Sequence, residues 1–356
     1  IKRVGTNMLN FPARSYIIRE PLGVCLVIGA WNYPYQLTLA PVIAAIAAGN
    51  TVVIKPSEMS PKTSALMAKL INENFDSGFL KVVEGGVPET TALLECKYDK
   101  IFFTGSPQVG KIIYQAAAKN LTPVTLELGG KSPNLVFADC DLEERVTASV
   151  DECMYNTGQS CDAPTRLLVE RSCYDKVVSI AKQAAEATEV GDPTKEGSHI
   201  GPLFDRIQFE RVQNMISIGI EEGATLLCGG LGKPEGISTG WFVRPTIFMD
   251  VSNKMRIARE EIFGPVLVII PFENEAEAIR IANDTPYGLA AYLQTGNQER
   301  AERVAGRLRA GAVHINGGGF NYGSPFGGYK QSGNGREGGL MGLEDYLETK
   351  TLHGLS

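Results

Sequence analysis

The first third of the chain alternates short apolar segments with segments of helical pattern, and this alternation constrains the fold most strongly. The predicted strands are Val24–Ala30, Thr51–Ile54, Leu80–Val83, Ile101–Phe103 and Val124–Leu126. The predicted helices are Leu37–Ala48, Pro61–Asn74, Pro88–Glu95 and Gln108–Lys119. Ser60 and Pro61 form a helix start, with Ser as the cap and Pro in the first turn. Short apolar strands separated by helices predict a doubly wound parallel sheet, so the fold class is α/β.

A second alternation of the same kind runs from about Gly130 to Gln331. Its predicted strands are Arg166–Glu170, Thr225–Cys228, Val266–Phe272, Ala290–Thr295 and Ala312–Ile315. Its predicted helices are Asp141–Tyr155, Tyr174–Ala187, Gln208–Glu222, Glu275–Asn283 and Gln298–Arg309. The Gly-rich stretch Gly229–Gly240 is typical of a surface loop. We therefore expect a second α/β unit that follows the first without a long linker.

Composition indicates the number of domains and the kinds of partner to expect. A chain of 356 residues, 44% of them hydrophobic, is long enough for two domains. The net charge is −6 and no basic run occurs, so we expect neither a nucleic-acid nor an anionic-membrane partner. The stretch 21–54 carries no charge, but polar residues and prolines divide it into pieces too short to cross a bilayer.

Cysteine and histidine usage indicates the compartment and argues against a metal site. The seven cysteines are scattered, odd in number and without a C-x-x-C pair. That pattern favours reduced thiols in the cytoplasm over a disulfide framework. Only three histidines occur and no H-E-x-x-H motif is present, so no catalytic metal is expected.

The stretch Asn156-Thr157-Gly158-Gln159-Ser160-Cys161 carries the strongest chemical signal. Gly158 is expected to end the helix Asp141–Tyr155, since Gly accepts the left-handed conformation that closes a last turn. Cys161 is then expected to lie in the turn that follows the helix. A thiolate is the strongest nucleophile among ordinary side chains, so Cys161 is the candidate nucleophile.

Six residues, most of them polar, follow the ends of the predicted strands of the first unit. They are Trp31, Asn32, Lys55, Thr104, Gly105 and Glu127. Open α/β sheets bind ligands at the carboxyl ends of their strands, so these positions predict a ligand site. Glu127 stands 34 residues before Cys161, and a half-buried carboxyl there would have a raised pKa suited to a general base.

The segment Gly105–Lys111 follows a strand and opens a helix, which offers backbone N–H groups and a helix dipole to a pyrophosphate. It reads as G-x-x-x-x-G-K. A P-loop requires Ser or Thr at the next position, where this chain has Ile112, so an ATP-binding loop is disfavoured.

Seven motifs occur in one order along the chain. They are Trp31-Asn32-Tyr33-Pro34, Lys55-Pro56-Ser57-Glu58, Phe103-Thr104-Gly105-Ser106, Leu126 to Pro133, Asn156 to Cys161, Glu261-Ile262-Phe263-Gly264-Pro265 and Pro325-Phe326-Gly327-Gly328. Motifs and order together resemble the aldehyde dehydrogenase superfamily, and the likeness runs from about Arg14 to the C-terminus. Family members usually carry a leading helical segment, which this sequence lacks before its first motif.

The resemblance implies an NAD-dependent, hydrolytic oxidation of an aldehyde to a carboxylic acid. Cys161 would form a thiohemiacetal and then a thioester, with hydride transfer to NAD between the two. Glu127 would assist hydrolysis of the thioester. The Asn32 amide and the Cys161 backbone N–H would stabilise the oxyanion.

The resemblance also implies cofactor and substrate residues. The cofactor residues are Trp31, Lys55, Glu58, Gly105, Ser106, Gly110, Glu261 and Phe263. A carboxylate at Glu58 can accept hydrogen bonds from ribose hydroxyls, which favours NAD, with NADP kept as an alternative. The substrate entrance would be lined by Tyr33, Leu37, Tyr155, Phe320 and Phe326, and an apolar lining favours aliphatic or aromatic aldehydes.

The resemblance divides the chain into parts. An oligomerisation arm would comprise 1–20 and 345–356, an NAD-binding domain 21–129, a catalytic domain 130–331 and a return segment 332–344. The arm contains Ser15–Arg19 and the alternating tail Tyr346–Leu352, both predicted as strands. The expected assembly is a homodimer or a homotetramer, since different parts of the chain resemble a dimeric and a tetrameric branch.

Two alternative functions stay open at this point. One is a coenzyme-A-acylating semialdehyde dehydrogenase, although branches of that kind lack a base at the position of Glu127. The other is a non-catalytic binding protein that reuses the fold. One departure from the family pattern is Asp162, whose carboxylate would disfavour the thiolate if it faced the sulfur. We expect Asp162 to point away from Cys161.

Overall fold

The structure is a computed structural model that describes residues 2–354. The strands are β1 (Lys2–Val4), β2 (Ser15–Pro21), β3 (Val24–Ile28), β4 (Thr51–Lys55), β5 (Leu80–Val82), β6 (Lys100–Thr104), β7 (Val124–Glu127), β8 (Pro133–Val136), β9 (Arg166–Glu170), β10 (Thr225–Cys228), β11 (Thr246–Met249), β12 (Val266–Phe272), β13 (Ala290–Gln294), β14 (Ala312–Ile315), β15 (Gly333–Asn334) and β16 (Leu347–His353). The α-helices are α1 (Gln36–Ala47), α2 (Pro61–Asn74), α3 (Val87–Leu94), α4 (Pro107–Ala118), α5 (Leu142–Met154), α6 (Tyr174–Ala187), α7 (Arg206–Glu221), α8 (Arg256–Arg259), α9 (Glu275–Asn283), α10 (Gln298–Ala305) and α11 (Gly339–Glu344).

The chain forms two compact units. The first contains the residues up to Glu127, together with Asn321–Gly327 and the chain from Asn334 onward. The second contains Leu128–Phe320 and Gly328–Gly333. Each unit has its own mainly parallel sheet and its own apolar core, as expected for a chain of this length.

The sheet of the first unit has five parallel strands in the order β7-β6-β3-β4-β5, with the short β15 beside β7. Helices connect consecutive strands, which is the doubly wound parallel arrangement that the sequence predicts. The carboxyl ends of β3, β4, β6 and β7 therefore lie at one edge of this sheet. Lys55, Thr104 and Glu127 are the last residues of their strands, whereas the sequence placed them just beyond the ends.

A separate antiparallel sheet in the first unit has the order β1-β2-β16. The C-terminal strand pairs with β2 over seven residues, from Leu347 opposite Pro21 to His353 opposite Ser15. Both predicted strands of the arm are therefore present. They pair with each other, so the tail is not an open edge along this side.

The sheet of the second unit has seven strands in the order β10-β11-β12-β9-β8-β13-β14. All neighbours are parallel except β10 and β11. Its two faces are covered by different apolar clusters. In β9, Leu167 and Val169 belong to one cluster and Leu168 to the other, because successive side chains of a strand point to opposite faces. A sheet covered on both faces explains why its strands read as continuous apolar runs.

Several sequence-based predictions about elements are wrong in detail. The hydroxyl of Ser60 does not cap α2 but donates to the Trp31 carbonyl oxygen at 3.2 Å. The predicted helix Gln298–Arg309 ends at Ala305. Strands β8 and β11 and helices α8 and α11 were not predicted. Each of these four elements has only four to six residues, which is too short to show a clear period.

Candidate active site

The nucleophile segment is a left-handed turn and not a helix closed by a single glycine. Helix α5 ends at Met154, and the next residues include three consecutive positive φ angles, 49° at Asn156, 58° at Thr157 and 68° at Gly158. A β-branched residue in this region of backbone space is strained. The prediction that Gly158 ends this helix is therefore wrong, because α5 ends at Met154 and the chain then turns over three residues.

Side-chain hydrogen bonds hold this strained turn. The Thr157 hydroxyl donates to the Gly201 carbonyl at 3.1 Å. The Gln159 side chain donates to the Asn156 carbonyl at 3.1 Å and accepts from the Phe204 backbone N–H at 2.9 Å. These contacts fix the backbone immediately before Cys161, which is the condition for a nucleophile held in one orientation.

Cys161 is partly exposed, and its backbone lies against Gly130. A Cβ atom at Gly130 would overlap the carbonyl oxygen of Cys161, so only glycine allows this approach. The backbone N–H of Gly130 also donates to Oε1 of Glu261 at 3.0 Å. Within the second unit, Gly130 thus brings the predicted nucleophile and a predicted cofactor residue to one place.

Glu127 ends strand β7 and is 4% exposed, which is deeper than the half-buried position expected from the sequence. Within residues 2–354, neither of its carboxyl oxygens has a hydrogen-bonding partner. Burial, and then the negative charge of Glu337, raise the pKa of Glu127 well above its ordinary value. A carboxyl with a raised pKa and unused oxygens is suited to remove a proton from water.

Glu337 is a candidate site residue that the sequence reasoning missed. Phe326 and Glu337 exchange backbone hydrogen bonds at 2.7 and 2.8 Å. Gly327, the residue after Phe326, is packed so that a Cβ there would lie 2.7 Å from Oε1 of Glu127. Burial raises the pKa of Glu337 to about 7. The first unit therefore brings Glu127, Phe326 and Glu337 together. No local pattern marks Glu337, which lies in a Gly-rich segment.

The turn after β3 carries Trp31 and Asn32. Gly29 allows this turn to pack on α1, because a Cβ at Gly29 would overlap the Thr38 hydroxyl. The Trp31 carbonyl accepts the hydrogen bond from Ser60 described above, which ties the turn to the start of α2. Asn32 is partly buried at this turn, and its predicted oxyanion role stays a prediction.

Lys55 is 2% exposed, and its ammonium group has three hydrogen bonds. It donates to the Pro56 carbonyl at 2.9 Å, to the Glu58 carboxylate at 2.6 Å and to the Gly85 carbonyl at 2.7 Å. Burial raises the pKa of Glu58, but hydrogen bonds and the charge of Lys55 outweigh it, and the pKa is lowered overall. Glu58 is thus held as a carboxylate at the end of β4.

The helix α4 begins directly after β6 and Gly105. Ser106 caps it, because its hydroxyl oxygen accepts from the Val109 backbone N–H at 3.3 Å. Gly110 is buried in the first turn of the helix. The remaining N–H groups of this first turn and the helix dipole form the kind of anion site expected for a pyrophosphate.

The Glu261–Phe263 loop is held by two side chains of α7 that the sequence reasoning missed. Gln208 donates to the carbonyls of Ile262 at 3.0 Å and Phe263 at 2.8 Å. Arg211 donates to the Glu261 carbonyl at 2.7 Å. Phe263 has a φ of 60°, so these bonds hold a strained backbone. Burial raises the pKa of Glu261 to about 7, against the lowering effects of the Gly130 hydrogen bond and Arg211.

The predicted substrate residues are divided between the two units. Tyr33, Leu37 and Phe326 belong to the first unit, and Tyr155 and Phe320 to the second. Tyr155 and Phe320 are 63% and 46% exposed. Their contact with substrate stays a prediction.

A parallel α/β sheet with polar residues at its strand ends is of the kind that binds nucleotides, and a cysteine on a turn held by hydrogen bonds is of the kind that acts as a nucleophile. The family model described as the aldehyde dehydrogenase family matches residues 2–352. A 3-succinoylsemialdehyde-pyridine dehydrogenase from Pseudomonas sp. is 48% identical, over 95% of this chain and 72% of its own length.

Solved structures agree with this match. Aldehyde dehydrogenase C (AldC) from Pseudomonas syringae, a mutant complexed with NAD+ and octanal, is 46% identical with a TM-score of 0.94, covering 99% of this chain and 72% of its own. An aldehyde dehydrogenase from Mycobacterium tuberculosis complexed with NAD+ is 43% identical with a TM-score of 0.93, covering 96% and 71%. The chain belongs to the aldehyde dehydrogenase family. The resemblance and the α/β fold class predicted from the sequence are confirmed.

Within residues 2–354, no helix is both long and apolar enough to cross a membrane.

Proposed function

We propose that this protein oxidises an aldehyde to the carboxylic acid with NAD, using Cys161 as the nucleophile and Glu127 as the base for thioester hydrolysis. The observation that carries the hydrolytic part is the buried Glu127 carboxyl, with its raised pKa and oxygens that have no partner in the described chain. The thiolate of Cys161 adds to the carbonyl carbon, and Glu127 later takes a proton from the water that attacks the thioester. Asn32 and the Cys161 backbone N–H donate to the oxyanion.

The residues at the strand ends fit NAD. Glu58, fixed by Lys55 at 2.6 Å, offers acceptors for ribose hydroxyls and would repel the 2′-phosphate of NADP. The start of α4, with Gly105, Ser106 and Gly110, suits a pyrophosphate. When bound, NAD accepts the hydride. Trp31, Glu261 and Phe263 would complete its site, and the NAD+ complexes of the two relatives support this choice of cofactor.

We assign apolar aldehydes as the substrate class. The predicted entrance residues are aromatic or aliphatic, and two of them, Tyr155 and Phe320, expose much of their side chains. Octanal bound to the Pseudomonas syringae relative supports an aliphatic chain in this family. A panel of aldehydes of differing length and charge, followed by NADH absorbance, should show higher kcat/KM for apolar than for anionic members.

The arm formed by β1, β2 and β16 is proposed to join copies of this chain into a homodimer or a homotetramer. The loop between β1 and β2 exposes Met8, Leu9 and Phe11 at 96%, 94% and 79%, which is costly for side chains in water. Light scattering after size exclusion should give two or four chains. We also propose a cytoplasmic location, since seven scattered cysteines without a C-x-x-C pair favour reduced thiols.

One experiment separates this function from both alternatives. The protein is incubated with an aldehyde, NAD and coenzyme A, and the products are identified by mass spectrometry. The proposed function predicts NADH and a free acid. An acyl-coenzyme A product would instead support the acylating alternative, and no NADH across a broad aldehyde panel would support a binding role. Cys161→Ala should abolish oxidation while NAD binding, followed by calorimetry, is retained.

A further inference from the structure

Tyr292 and His314 face each other on the neighbouring parallel strands β13 and β14 of the second unit, where they are direct register partners. Their rings are stacked, with centroids 4.9 Å apart and planes inclined by 21°. Tyr292 is 9% exposed and His314 is partly exposed. Stacking of two flat rings on parallel strands limits the rotation of both side chains.

The Tyr292 hydroxyl contacts the turn that contains Cys161 and Asp162. It donates to the backbone carbonyl of Asp162, the residue after Cys161, at 3.2 Å. Gly130 lies against the carbonyl of Cys161 itself. Burial, and then the nearby carboxylates of Asp162 and Glu152, raise the pKa of Tyr292 well above its ordinary value. The hydroxyl therefore keeps its proton and remains a donor at every working pH.

His314 reaches a second predicted part of the site. Its Nδ1 lies 2.9 Å from the carbonyl oxygen of Gly318. A carbonyl oxygen can only accept, so Nδ1 carries the hydrogen and donates. Gly318 lies two residues before Phe320, one of the predicted substrate residues. The stacked pair therefore connects the nucleophile turn with the loop that carries Phe320.

We propose that Tyr292 and His314 are positioning residues for the reaction, with Tyr292 aligning the Cys161 turn and His314 aligning the loop that carries Phe320. The inference rests on the proposed function, since it takes Cys161 as the nucleophile and Phe320 as a substrate contact. A displacement of the sulfur acts on the chemical step, because small misplacements of a nucleophile reduce rates steeply. A displacement of Phe320 acts on aldehyde binding, so the two residues should affect different kinetic parameters.

Tyr292→Phe removes the hydroxyl and keeps the ring. We expect kcat to fall about 10-fold or more, with the KM for aldehyde within about twofold of wild type. Alkylation of Cys161 by iodoacetamide, followed on the Cys161 peptide by mass spectrometry, should slow as well. The matched control is Tyr174→Phe, which removes another buried tyrosine hydroxyl, bonded to the Asp250 carboxylate at 3.1 Å in the same unit. It should leave kcat and alkylation within about twofold of wild type.

His314→Phe keeps a ring for stacking and removes the donor. We expect the KM for aldehyde to rise about fivefold or more while kcat stays within about twofold. His314→Asn places an amide near the position of Nδ1 and should restore KM, although it removes the ring.

The outcomes are distinct. An unchanged kcat in Tyr292→Phe, or equal losses in Tyr292→Phe and Tyr174→Phe, overturns the role of Tyr292. A KM for aldehyde that His314→Asn does not restore overturns the role of His314. If the wild-type protein oxidises no aldehyde, the proposed function fails, and the alkylation rates of Tyr292→Phe and Tyr174→Phe still decide whether Tyr292 holds the Cys161 turn.

Discussion

Gly158 packs directly against the backbone of Gly264, and a Cβ atom at Gly158 would overlap the Gly264 carbonyl group. Gly158 also has a φ of 68°, in the left-handed region. Two separate physical reasons therefore require glycine at this position, one conformational and one steric. Because the turn leads straight into Cys161, this contact links the Glu261–Pro265 motif to the position of the sulfur.

Gly158→Ala should displace the turn Asn156–Cys161. The left-handed conformation costs alanine about 1 kcal/mol, and the overlap with a backbone carbonyl adds to it, because a backbone group cannot move aside cheaply. We expect kcat/KM, measured by NADH formation, to fall about 100-fold. We also expect Tm, measured by calorimetry, to fall.

The control for this variant is Gly223→Ala. Gly223 has a φ of 85°, and a Cβ added there would have no atom within 4 Å, so this position carries the conformational cost without the overlap. The activity of Gly223→Ala should match wild type. Equal activity losses in the two variants would show that the contact with Gly264 is unimportant.

Glu337→Gln should move the acid limb of the pH–rate profile to lower pH. Glu127 acts as a base only when ionised, and the negative charge of Glu337 contributes to its raised pKa. Removing that charge lowers the pKa of Glu127, so the base becomes available at lower pH. The measurement is kcat against pH under conditions in which hydrolysis limits the rate.

Glu344→Gln is the matched control for charge. Glu344 is 39% exposed and pairs with Arg19, so solvent screens its effect on Glu127. An acid limb that moves equally in both variants, or only in Glu344→Gln, would contradict the assigned coupling between Glu337 and Glu127.

Gln208→Ala should weaken cofactor binding. It removes two hydrogen bonds that hold the Ile262 and Phe263 carbonyls, and the strained Phe263 backbone can then relax at a gain of about 1–3 kcal/mol. We expect the Kd for NAD to rise about 10-fold by calorimetry. Gln213→Ala, on the same helix α7, should leave the Kd unchanged, and a similar rise there would refute the specific role of Gln208.

Asp162→Asn should leave the pH midpoint of Cys161 alkylation within about one unit of wild type, if the carboxylate points away from the sulfur as expected. In the structure, burial raises the pKa of Asp162, against the lowering effects of a backbone hydrogen bond and the charge of His314. Iodoacetamide alkylation against pH measures this directly. A midpoint that falls by more than about one unit in the variant would place the carboxylate against the sulfur.

The elements that the sequence predicted best have a clear period and clear ends. Helices α2, α6 and α9 and strands β9, β10, β12 and β14 begin and end where the apolar pattern places them. Helix α2 has Pro61 in its first turn, and β12 is a seven-residue apolar run. Strand β8 could not be recognised in this way, because it has four residues and begins with Pro133.

The candidate site also contains residues that a local sequence pattern reveals and residues that it does not. Cys161 and Glu127 stand in local motifs and could be proposed from sequence, although their roles remain predictions. Glu337, Gln208 and Tyr292 could not, since each becomes relevant only through a partner distant in sequence. The backbone pairing of Glu337 with Phe326 and the register of Tyr292 with His314 are properties of the fold.

The depth of Glu127 illustrates the difference. Its place at a strand end was predicted, but its 4% exposure depends on segments far along the chain, including Gly327. A local pattern does not encode such packing. The raised pKa, which suits Glu127 to act as a base, is therefore a consequence of tertiary structure.

Pre-steady-state NADH formation by Glu127→Gln tests the central claim most directly. The variant retains Cys161 and the predicted cofactor residues but lacks the base for hydrolysis. Mixed rapidly with aldehyde and NAD, it should form about one equivalent of NADH per active site and then stall, with an acyl group on Cys161 detectable by mass spectrometry. Continued turnover near the wild-type rate, without an acyl-enzyme, would contradict the account.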